Sequence, residues 1–506
     1  MAPGDCSLNS DRLFGCLLIS APQGRSGKTI ATIGLCDALR RRGLSVQPFK
    51  KGPDYIDPSW LTIAAGRSCR NLDLFLIPED KLIQAFEQAC EETDLALVEG
   101  AMGLYDGLDN RKTTAEIARL LNIPILLIVN SSRMTSSIAA MVKGYQLFQT
   151  DIKIAGVILN YVSGPRHEEK LRDAVEQHCG IPVVGSIPRD ADLLVAERHL
   201  GLIPAPESAE SKSRVERIGH KLESCFDLDR ILSIARTLKT PHRAVAKAAC
   251  LDEVSRQKEA MARRRPSPLP LGERDGVTGS EAGITKIGVI RDRVFNFYYP
   301  ENFEALKKAG AQILFIDSFI DRLPELDGLY IGGGFPEFFL KELEGNNGLR
   351  KDIAEAVEEG LPVYAECAGL MYLCRSIRWQ DRSYEMVRII PADVELSQKP
   401  EGHGYVVAEV VGENPFFSTG LTIRGHEFHH SNLSDARGLK FAYQVKRGRG
   451  IHGSQDGIVY KNLFASYIHL HALGTPEWAQ GFTSLASRWK RSKRRVNLLK
   501  EDARLH

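Results

Sequence analysis

Short apolar runs and longer amphipathic stretches alternate along the first half of the chain. The apolar runs have the length of strands and are bounded by turn residues; they lie at 13–20, 95–98, 125–129 and 154–159. Between them, apolar residues recur at helical spacing, as in the stretch from Ile30 to Arg42, which Gly43 ends. Strands that alternate with helices in this order predict a parallel sheet with helices on both faces.

The same alternation begins again at Ile284. Strand-like runs lie at 286–291, 313–316, 328–331 and 362–365, with helical stretches at 300–309 and 349–359 between them. After Arg388 the pattern becomes rich in strands, and it closes with an apolar run at 463–469 and a final helix. A second α/β domain is therefore predicted.

A stretch rich in proline, glycine and charge separates the two patterns. It has few large apolar residues, so it cannot bury enough surface to offset the entropy cost of ordering it. The chain has 506 residues, which exceeds the size at which a single core stops growing. The predicted organisation is a first domain at 12–240, a flexible linker at 241–283, a second domain at 284–487 and a basic tail at 488–506.

Composition narrows the class of protein. Hydrophobic residues make up 43% of the chain and charged residues 26%, as in soluble globular proteins. The net charge of +2 creates no overall field that would recruit nucleic acid or a membrane surface. The ten cysteines form no CxxC pair, which suits a reducing cytoplasm better than a disulfide framework or a zinc site. We therefore expect a cytoplasmic protein whose ligands bind at local sites.

A glycine-rich loop, APQGRSGKT at 21–29, joins the first predicted strand to the first predicted helix. Its small residues let backbone amides face a phosphate chain, while a lysine supplies charge to the β- and γ-phosphates and a threonine hydroxyl binds Mg²⁺. Pro22 stands where the Walker pattern has its first glycine, but the strand–loop–helix context favours a nucleotide site over a plain glycine turn. The predicted nucleotide-binding residues are Gly24, Ser26, Gly27, Lys28 and Thr29.

Three acidic residues lie where such a sheet would bring them to the glycine-rich loop. Glu99 directly follows the apolar run 95–98, and ligands of open α/β sheets bind at the carboxyl ends of strands. We assign it a Walker-B-like role in holding Mg²⁺. Asp54 in KKGPDYIDP and Asp106 in LVEGAMGLYDG are candidates for further metal ligands or substrate-side acids, with a plain turn role equally open for each.

A cysteine in the second domain has the setting of a nucleophile. In PVYAECAGLMYL at 362–373, an apolar strand leads to Cys367 and an apolar helix follows at once, which predicts a tight elbow whose helix N-terminus favours the thiolate. His469, at the end of an apolar run, is the candidate base. The amides of Gly333, Gly334 and Ala368 are candidates for an oxyanion hole. The alternative for Cys367 is an ordinary buried core thiol.

Together these segments resemble the cobyrinate a,c-diamide synthase family. The motifs that carry the resemblance, in the family's order, are APQGRSGKT, KKGPDYIDP, AAGRSCRNLDLFL, VEGAMGLYDG, IGGGFPE, YAECAGLMYL, RGHEFHHS and ASYIHLH. They span nearly the whole chain, except 241–283 and the two tails. The resemblance implies two doubly wound α/β domains: an N-terminal P-loop domain like dethiobiotin synthetase, and a C-terminal flavodoxin-like class I glutaminase.

The resemblance also implies roles for particular residues. Lys28 and Thr29 would bind ATP and Mg²⁺, and Cys367 would attack glutamine with help from His469. The residues implied to line the metal and the carboxylate being activated are Asp54, Glu99 and Asp106, with Tyr55 beside the substrate and Thr29, Asp54 and Glu99 as the metal ligands. A typical class I glutaminase has a glutamate two residues after the histidine, where this chain has His471. Either His471 orients His469, or the pair of Cys367 and His469 suffices.

The expected activity is the ATP-dependent amidation of the a- and c-side-chain carboxylates of cobyrinate in cobalamin biosynthesis, through acyl phosphates, with L-glutamine as the nitrogen donor. Alternatives are the same chemistry on nickel-sirohydrochlorin or hydrogenobyrinate, cobyric acid synthesis, and a regulatory P-loop ATPase with a degenerate glutaminase domain. Ammonia must reach the acyl phosphate before water does, which predicts a shielded path between the domains. A homodimer is expected by analogy only.

Overall fold

The structure is a computed structural model of the chain, and it describes residues 14–109, 111–193, 195, 197–198, 201–237 and 284–505. The predicted linker at 241–283 lies outside the described residues.

The N-terminal domain is a parallel sheet with helices. Its strands are β1 (Gly15–Ser20), β2 (Val46–Lys51), β3 (Arg70–Leu72), β4 (Leu95–Glu99), β5 (Ile125–Asn130), β6 (Ile154–Val162), β7 (Val183–Pro188) and the short pair β8 (Glu197–Arg198) and β9 (Gly201–Leu202). Its helices are α1 (Lys28–Arg41), α2 (Ile56–Ala65), α3 (Glu79–Cys90), α4 (Thr114–Leu120), α5 (Ser137–Phe148), α6 (Pro165–Cys179), α7 (Ser211–Glu223) and α8 (Leu228–Ala235).

The strands of this sheet are buried on both faces. They lie in the order β3-β2-β4-β1-β5-β6-β7, all parallel. Successive residues of β1 enter different cores: Leu18 belongs to one hydrophobic cluster, and Leu17 and Ile19 belong to the other. This alternation is what a strand with helices on both faces requires. The chain leaves β1 towards β2 and leaves β4 towards β5, in opposite directions across the sheet. The carboxyl ends of β1 and β4 therefore form the crevice where such folds bind ligands.

The C-terminal domain contains more strands and fewer helices. Its strands are β10 (Thr285–Ile290), β11 (Phe295–Phe297), β12 (Ala311–Ile316), β13 (Gly328–Ile331), β14 (Gly333–Gly334), β15 (Val363–Glu366), β16 (Cys374–Trp379), β17 (Arg382–Glu385), β18 (Ile390–Leu396), β19 (Gly402–Val410), β20 (Thr422–His429), β21 (Ser431–Ser434), β22 (Phe441–Arg447), β23 (Gln455–Tyr460), β24 (Leu463–Ser466) and β25 (His469–Leu470). Its helices are α9 (Pro300–Lys308), α10 (Leu340–Gly345), α11 (Asn347–Glu358), α12 (Ala368–Leu373) and α13 (Glu477–Leu505).

The main sheet of this domain is mixed. Strands β12-β10-β13-β15-β24 are parallel neighbours, and β23-β22-β19-β20-β25 continue the sheet with antiparallel pairs. Only residues 467–468 separate β24 from β25, so their ends are at most about 11 Å apart along the chain. Five strand spacings would span about 24 Å in a flat sheet, and the antiparallel half must therefore curl back towards β24.

The predicted architecture of two α/β domains is confirmed, with two differences in the second domain. The antiparallel half goes beyond a purely doubly wound sheet, and the predicted strand at 463–469 is divided into β24 and β25. The final helix, α13, continues through the boundary predicted at 487 as far as Leu505, so the described part of the basic tail is helical. Within the described ranges, the helices are each too short or too polar to cross a bilayer.

The two domains pack directly against each other. Arg70 on β3 donates hydrogen bonds to Glu301 Oε1 at 3.0 Å and to Glu304 Oε1 at 2.5 Å, both on α9. The hydroxyl of Tyr405 on β19 donates to Asp73 Oδ2 at 2.6 Å. Strand β3 and the residue that follows it therefore hold the C-terminal domain through charged groups.

Replacing Arg70 with alanine should destabilise the protein, because Glu301 is only 5% exposed and would lose its guanidinium partner. Breaking a buried ion pair costs about 3 kcal/mol or more, to be measured as the change in the free energy of urea unfolding. The matched control is Arg322→Ala, since Arg322 is 70% exposed where it pairs with Asp352 and solvent leaves such pairs with little effect on stability. Equal effects of the two variants would show that the domain contact contributes no special stability.

Candidate active site

The glycine-rich loop is shaped by a residue from a distant strand. Gly27 has φ +93°, and a Cβ there would lie 2.2 Å from Nδ2 of Asn160. That Nδ2 donates to Ser26 O at 2.8 Å, and Ser26 Oγ donates to Gln23 O at 3.0 Å. Glycine is therefore required at 27 for both its backbone conformation and its lack of a side chain. The helix after the loop begins at Lys28, two residues earlier than predicted.

Lys28 faces the loop that follows β4. Its Nζ donates to Met102 O at 2.7 Å and to Gln23 O at 3.4 Å. Burial, with the nearby charge of Lys50, lowers the pKa of Lys28 to about 8. Asp106 Oδ2 accepts from the Gly103 amide at 2.9 Å. Asp106 therefore has the contact of a turn residue here, and it braces the segment that contacts Lys28.

A buried lysine joins the acidic residues at the carboxyl ends of β2 and β4. Lys50 Nζ lies 2.6 Å from Glu99 Oε1, 2.5 Å from Asp57 Oδ2 and 3.7 Å from Asp54 Oδ2. The Thr29 hydroxyl donates to the same Glu99 oxygen at 2.8 Å. The ammonium thus gathers three carboxylates in a site whose low polarity makes unpaired charge costly.

These carboxylates differ in their affinity for protons. Burial and the charge of Asp57 raise the pKa of Asp54 to about 7. Burial also acts on Asp57, but the charge and hydrogen bond of Lys50 outweigh it and lower the pKa of Asp57. The pKa of Asp54 therefore lies near neutral pH, and burial raises the pKa of Glu99 as well.

The predicted magnesium ligands fit the ion in part. Glu99 Oε2 is buried without a hydrogen-bond partner, beside the Thr29 hydroxyl, and oxygen donors of this kind suit Mg²⁺. Both oxygens of Asp54 are occupied instead, Oδ1 by the amides of Ile56 and Asp57 and Oδ2 by Lys50 at 3.7 Å. In the described portion of the chain, no group of three or more His, Cys, Asp and Glu side chains is arranged to hold a metal, so Thr29 and Glu99 form the fitting pair.

Cys367 lies at the predicted elbow between β15 and α12. Its φ of +49° and ψ of −104° are strained for a side chain other than glycine. The strain is maintained by close packing: the Gly369 amide donates to Gly332 O at 3.0 Å, and a Cβ on Gly369 would lie 2.3 Å from Ile331 O. The start of α12 therefore packs against the backbone of residues 331–332, directly before the glycines of β14.

The thiol of Cys367 is buried, with 2% of the residue exposed. Burial, together with the charge of Glu337, raises its pKa well above the ordinary value. The amide of Ala368, at the start of α12, acts in the direction predicted and lowers this pKa, but desolvation outweighs it. In this arrangement Sγ donates a weak hydrogen bond to Phe428 O at 3.7 Å. The cysteine therefore needs a base.

His469 lies against the glycine strand β14 and is held by a carboxylate that sequence reasoning missed. A Cβ on Gly333 would lie 2.4 Å from His469 Cε1, and Nδ1 of His469 lies 3.3 Å from Glu366 Oε2. His471 faces elsewhere: its Nε2 lies 3.6 Å from Glu301 Oε2. The suggestion that His471 orients His469 is therefore wrong, and the carboxylate partner of His469 is Glu366.

Tyr55 of the N-terminal domain contacts His469 of the C-terminal domain. Its ring stacks on Phe297 with centroids 4.9 Å apart, and it lies 5.4 Å from the ring of His469 and 5.6 Å from that of His426. The residue before it is Asp54, which contacts Lys50. One dipeptide therefore contacts both predicted sites.

Comparison with known proteins identifies both domains. Residues 17–203 match the CobQ/CobB/MinD/ParA nucleotide binding domain, and residues 286–477 match the CobB/CobQ-like glutamine amidotransferase domain. A protein of Magnetococcus marinus named cobyrinate a,c-diamide synthase is 41% identical, over 92% of this chain and 95% of its own length. Proteins of the same name from Methanosarcina acetivorans and Archaeoglobus fulgidus are 38% and 37% identical, each over 94% of this chain. The chain belongs to the cobyrinate a,c-diamide synthase family.

Membership in the cobyrinate a,c-diamide synthase family confirms the resemblance, the enzyme class and the pairing of a nucleotide-binding domain with a glutamine amidotransferase domain. The motifs identified the glycine-rich loop and the elbow but missed several polar residues that lie at strand ends. Their signal was a charged or amide side chain near the end of a strand, and they are Lys50, Asn160 and Glu366. Asp57 was missed as well, and it lies in the first turn of α2.

Replacing Asp54 with asparagine should change stability in a pH-dependent way. Asparagine keeps the Oδ1 that accepts from the amides of Ile56 and Asp57 at 2.8 and 3.1 Å. Because the folded pKa of Asp54 is raised to about 7, its contribution to stability is fully present below about pH 4 and is lost as the pH rises through 7. The variant has no such loss. The free energy of unfolding of the variant, minus that of the wild type, should therefore increase between pH 5 and 8.

Urea unfolding followed by tryptophan fluorescence at each pH measures this difference. Asp229→Asn is the control, since its side chain is 89% exposed and solvent screens its charge. A difference between the Asp54 variant and the wild type that stays constant over this range would contradict the raised pKa.

Proposed function

We propose that this chain catalyses the ATP- and Mg²⁺-dependent, glutamine-hydrolysing amidation of the a- and c-carboxylates of cobyrinate. The observation that carries the proposal is the contact of Tyr55 with the ring of His469, 5.4 Å between centroids, because it joins a carboxylate-activating site to a glutaminase site. The names of the relatives supply the acceptor. L-Glutamine and a tetrapyrrole are the small-molecule partners.

The glutaminase half uses Cys367 and His469. As His469 takes the thiol proton, Sγ attacks the side-chain amide carbon of glutamine, and the negative charge that develops on the amide oxygen faces the amides of Ala368, Gly333 and Gly334. His469 then returns the proton to the departing nitrogen, which leaves as ammonia. Water hydrolyses the remaining glutamyl thioester to glutamate. The raised pKa of the buried thiol makes the base indispensable.

The synthetase half makes the acceptor carboxylate reactive. A carboxylate does not react with ammonia, because oxide would have to leave, and phosphoryl transfer from ATP converts it into an acyl phosphate. Lys28 neutralises charge on the transferred phosphoryl group. Thr29 and Glu99 would hold Mg²⁺, which supplies further neutralisation of the phosphates when it is bound. Lys50 keeps Asp54 and Asp57 in place beside the acceptor.

Transfer of ammonia between the halves favours a short, shielded path. Tyr55 lies between the two sites, and its ring is flanked by Phe297, Tyr299 and His426. Aromatic walls exclude water, which would otherwise protonate the ammonia or hydrolyse the acyl phosphate. We infer that ammonia passes beside Tyr55.

A cytoplasmic location, supported by the free thiols of the described cysteines, and a homodimer by analogy are parts of the same proposal.

The wild-type protein with ATP, Mg²⁺, glutamine and cobyrinate should yield products that are lighter by about one mass unit for each amide formed, since OH is replaced by NH₂. Cys367→Ser should abolish the glutamine-dependent product and keep the product made from added ammonia, because serine lacks a thiolate whereas the synthetase site is intact. Mass spectrometry of the macrocycle and an assay of glutamate measure the two halves separately.

Lys28→Ala is the matched variant for the other half: it should stop amide formation from either nitrogen source while some glutamine hydrolysis remains. Parallel reactions with hydrogenobyrinate and nickel-sirohydrochlorin test the choice of macrocycle. Preference for either of these would overturn the assignment of cobyrinate, and absence of both glutaminase and amide synthesis would support the regulatory ATPase instead.

Tyr55→Ala should uncouple the two halves, because removing the ring opens the path beside His469 to solvent. The ratio of glutamate formed to amide formed should rise several-fold above that of the wild type, while added ammonia supports amidation at high concentration. Tyr55→Phe keeps the stacked ring and is the control, with a ratio close to that of the wild type. An unchanged ratio in the alanine variant would mean that ammonia takes another route.

A further inference from the structure

Glu366 is a buried carboxylate next to the nucleophile. It is the last residue of β15 and precedes Cys367, and it is only 1% exposed. Neighbouring residues of a strand face opposite sides of the sheet, and here Tyr364 belongs to one hydrophobic cluster whereas Ala365 and Cys367 belong to the other. Glu366 therefore shares the face of Tyr364, and it reaches the histidine from the side of the sheet opposite the nucleophile's cluster.

The carboxylate is fixed by donors on both oxygens. Oε2 lies 3.3 Å from His469 Nδ1 and accepts from the hydroxyl of Tyr330 at 3.2 Å, while Oε1 accepts from the Leu470 amide at 3.2 Å. Asn302 supports the group from outside: its Nδ2 donates to Tyr330 Oη at 3.3 Å and to Leu470 O at 3.1 Å. With partners on both oxygens, the carboxylate is held in a fixed orientation towards Nδ1 of His469.

The other titratable groups near His469 do not supply a negative charge to its imidazole. His471 is paired with Glu301, whose other oxygen binds Arg70. His426 stacks on His469 with centroids 4.9 Å apart, but burial, followed by the charges of His469 and His471, lowers its pKa well below the ordinary value. His426 is therefore neutral and offers no negative charge to an imidazolium.

We propose that Glu366 is the positioning carboxylate of the glutaminase, replacing the glutamate that an ordinary class I triad has two residues after the histidine. It accepts a hydrogen bond from Nδ1–H of His469, which leaves Nε2 as the atom that takes the thiol proton, and it stabilises the imidazolium that forms. Glu366 touches neither glutamine nor the sulfur in this role. The inference rests on the proposed glutaminase chemistry at Cys367.

The test compares Glu366→Gln, Glu366→Asp and Glu301→Gln in the full-length protein. In Glu366→Gln, kcat for glutamine hydrolysis should fall by about 10²- to 10⁴-fold, by comparison with loss of the carboxylate from a serine protease triad, with little change in KM. The dependence of kcat/KM on pH should differ from that of the wild type, because glutamine carries no negative charge to stabilise the imidazolium that forms when the thiol proton is transferred. Glu366→Asp should recover part of kcat.

Two further readouts separate this role from a structural one. Amidation with added ammonia, which bypasses Cys367, should persist in Glu366→Gln, and alkylation of Cys367 by iodoacetamide should slow at neutral pH. Glu301→Gln should leave the pH profile in place. The proposal would be overturned by a kcat within about threefold of the wild type, by a shifted profile in Glu301→Gln alone, or by loss of both nitrogen sources in the two Glu366 variants. A wild type without glutaminase would instead refute the proposed function.

Discussion

The arrangement of both sites depends on how one short segment, Gly52 to Asp57, is held at the carboxyl end of β2. The side-chain amide of Asn71 donates to the carbonyls of Gly52 and Asp54 at 2.8 and 2.7 Å. Asn71 lies on β3 beside Arg70, which pairs with the C-terminal domain. The strand that fixes the segment is thus the strand that fixes the second domain, and a shift of one would move the other.

Buried charge sets the chemistry on each side of this segment. In the synthetase site, three carboxylates surround the single positive charge of Lys50. Burial and the neighbouring negative charge of Asp57 raise the pKa of Asp54 to about 7. In the proposed glutaminase site, burial raises the pKa of the Cys367 thiol. The base proposed to activate this thiol, His469, is paired with Glu366. In both sites low polarity strengthens the paired charges and makes an unpaired charge costly.

The contact between the sites accounts for the joining of these two folds in one chain. Ammonia reacts only as the neutral molecule and only while the acyl phosphate is intact. If open solvent separated the two sites, water would protonate the ammonia and hydrolyse the acyl phosphate. On the proposed path beside Tyr55, the contact of its ring with His469 means that the two sites are separated only by adjoining side chains. The same closeness explains why the interface is aromatic at its centre and charged at β3 and α9.

The sequence by itself determined the two α/β domains, the glycine-rich loop and the elbow at Cys367, because apolar periodicity and glycine spacing are local properties that survive without knowledge of the fold. The tertiary structure alone decided the curl of the second sheet, the salt-bridge role of Lys50, the bracing of Gly27 by Asn160 and the pairing of His469 with Glu366. Each of these joins residues far apart in the chain, and hydrogen bonds and burial depend on distances in space that no local pattern records.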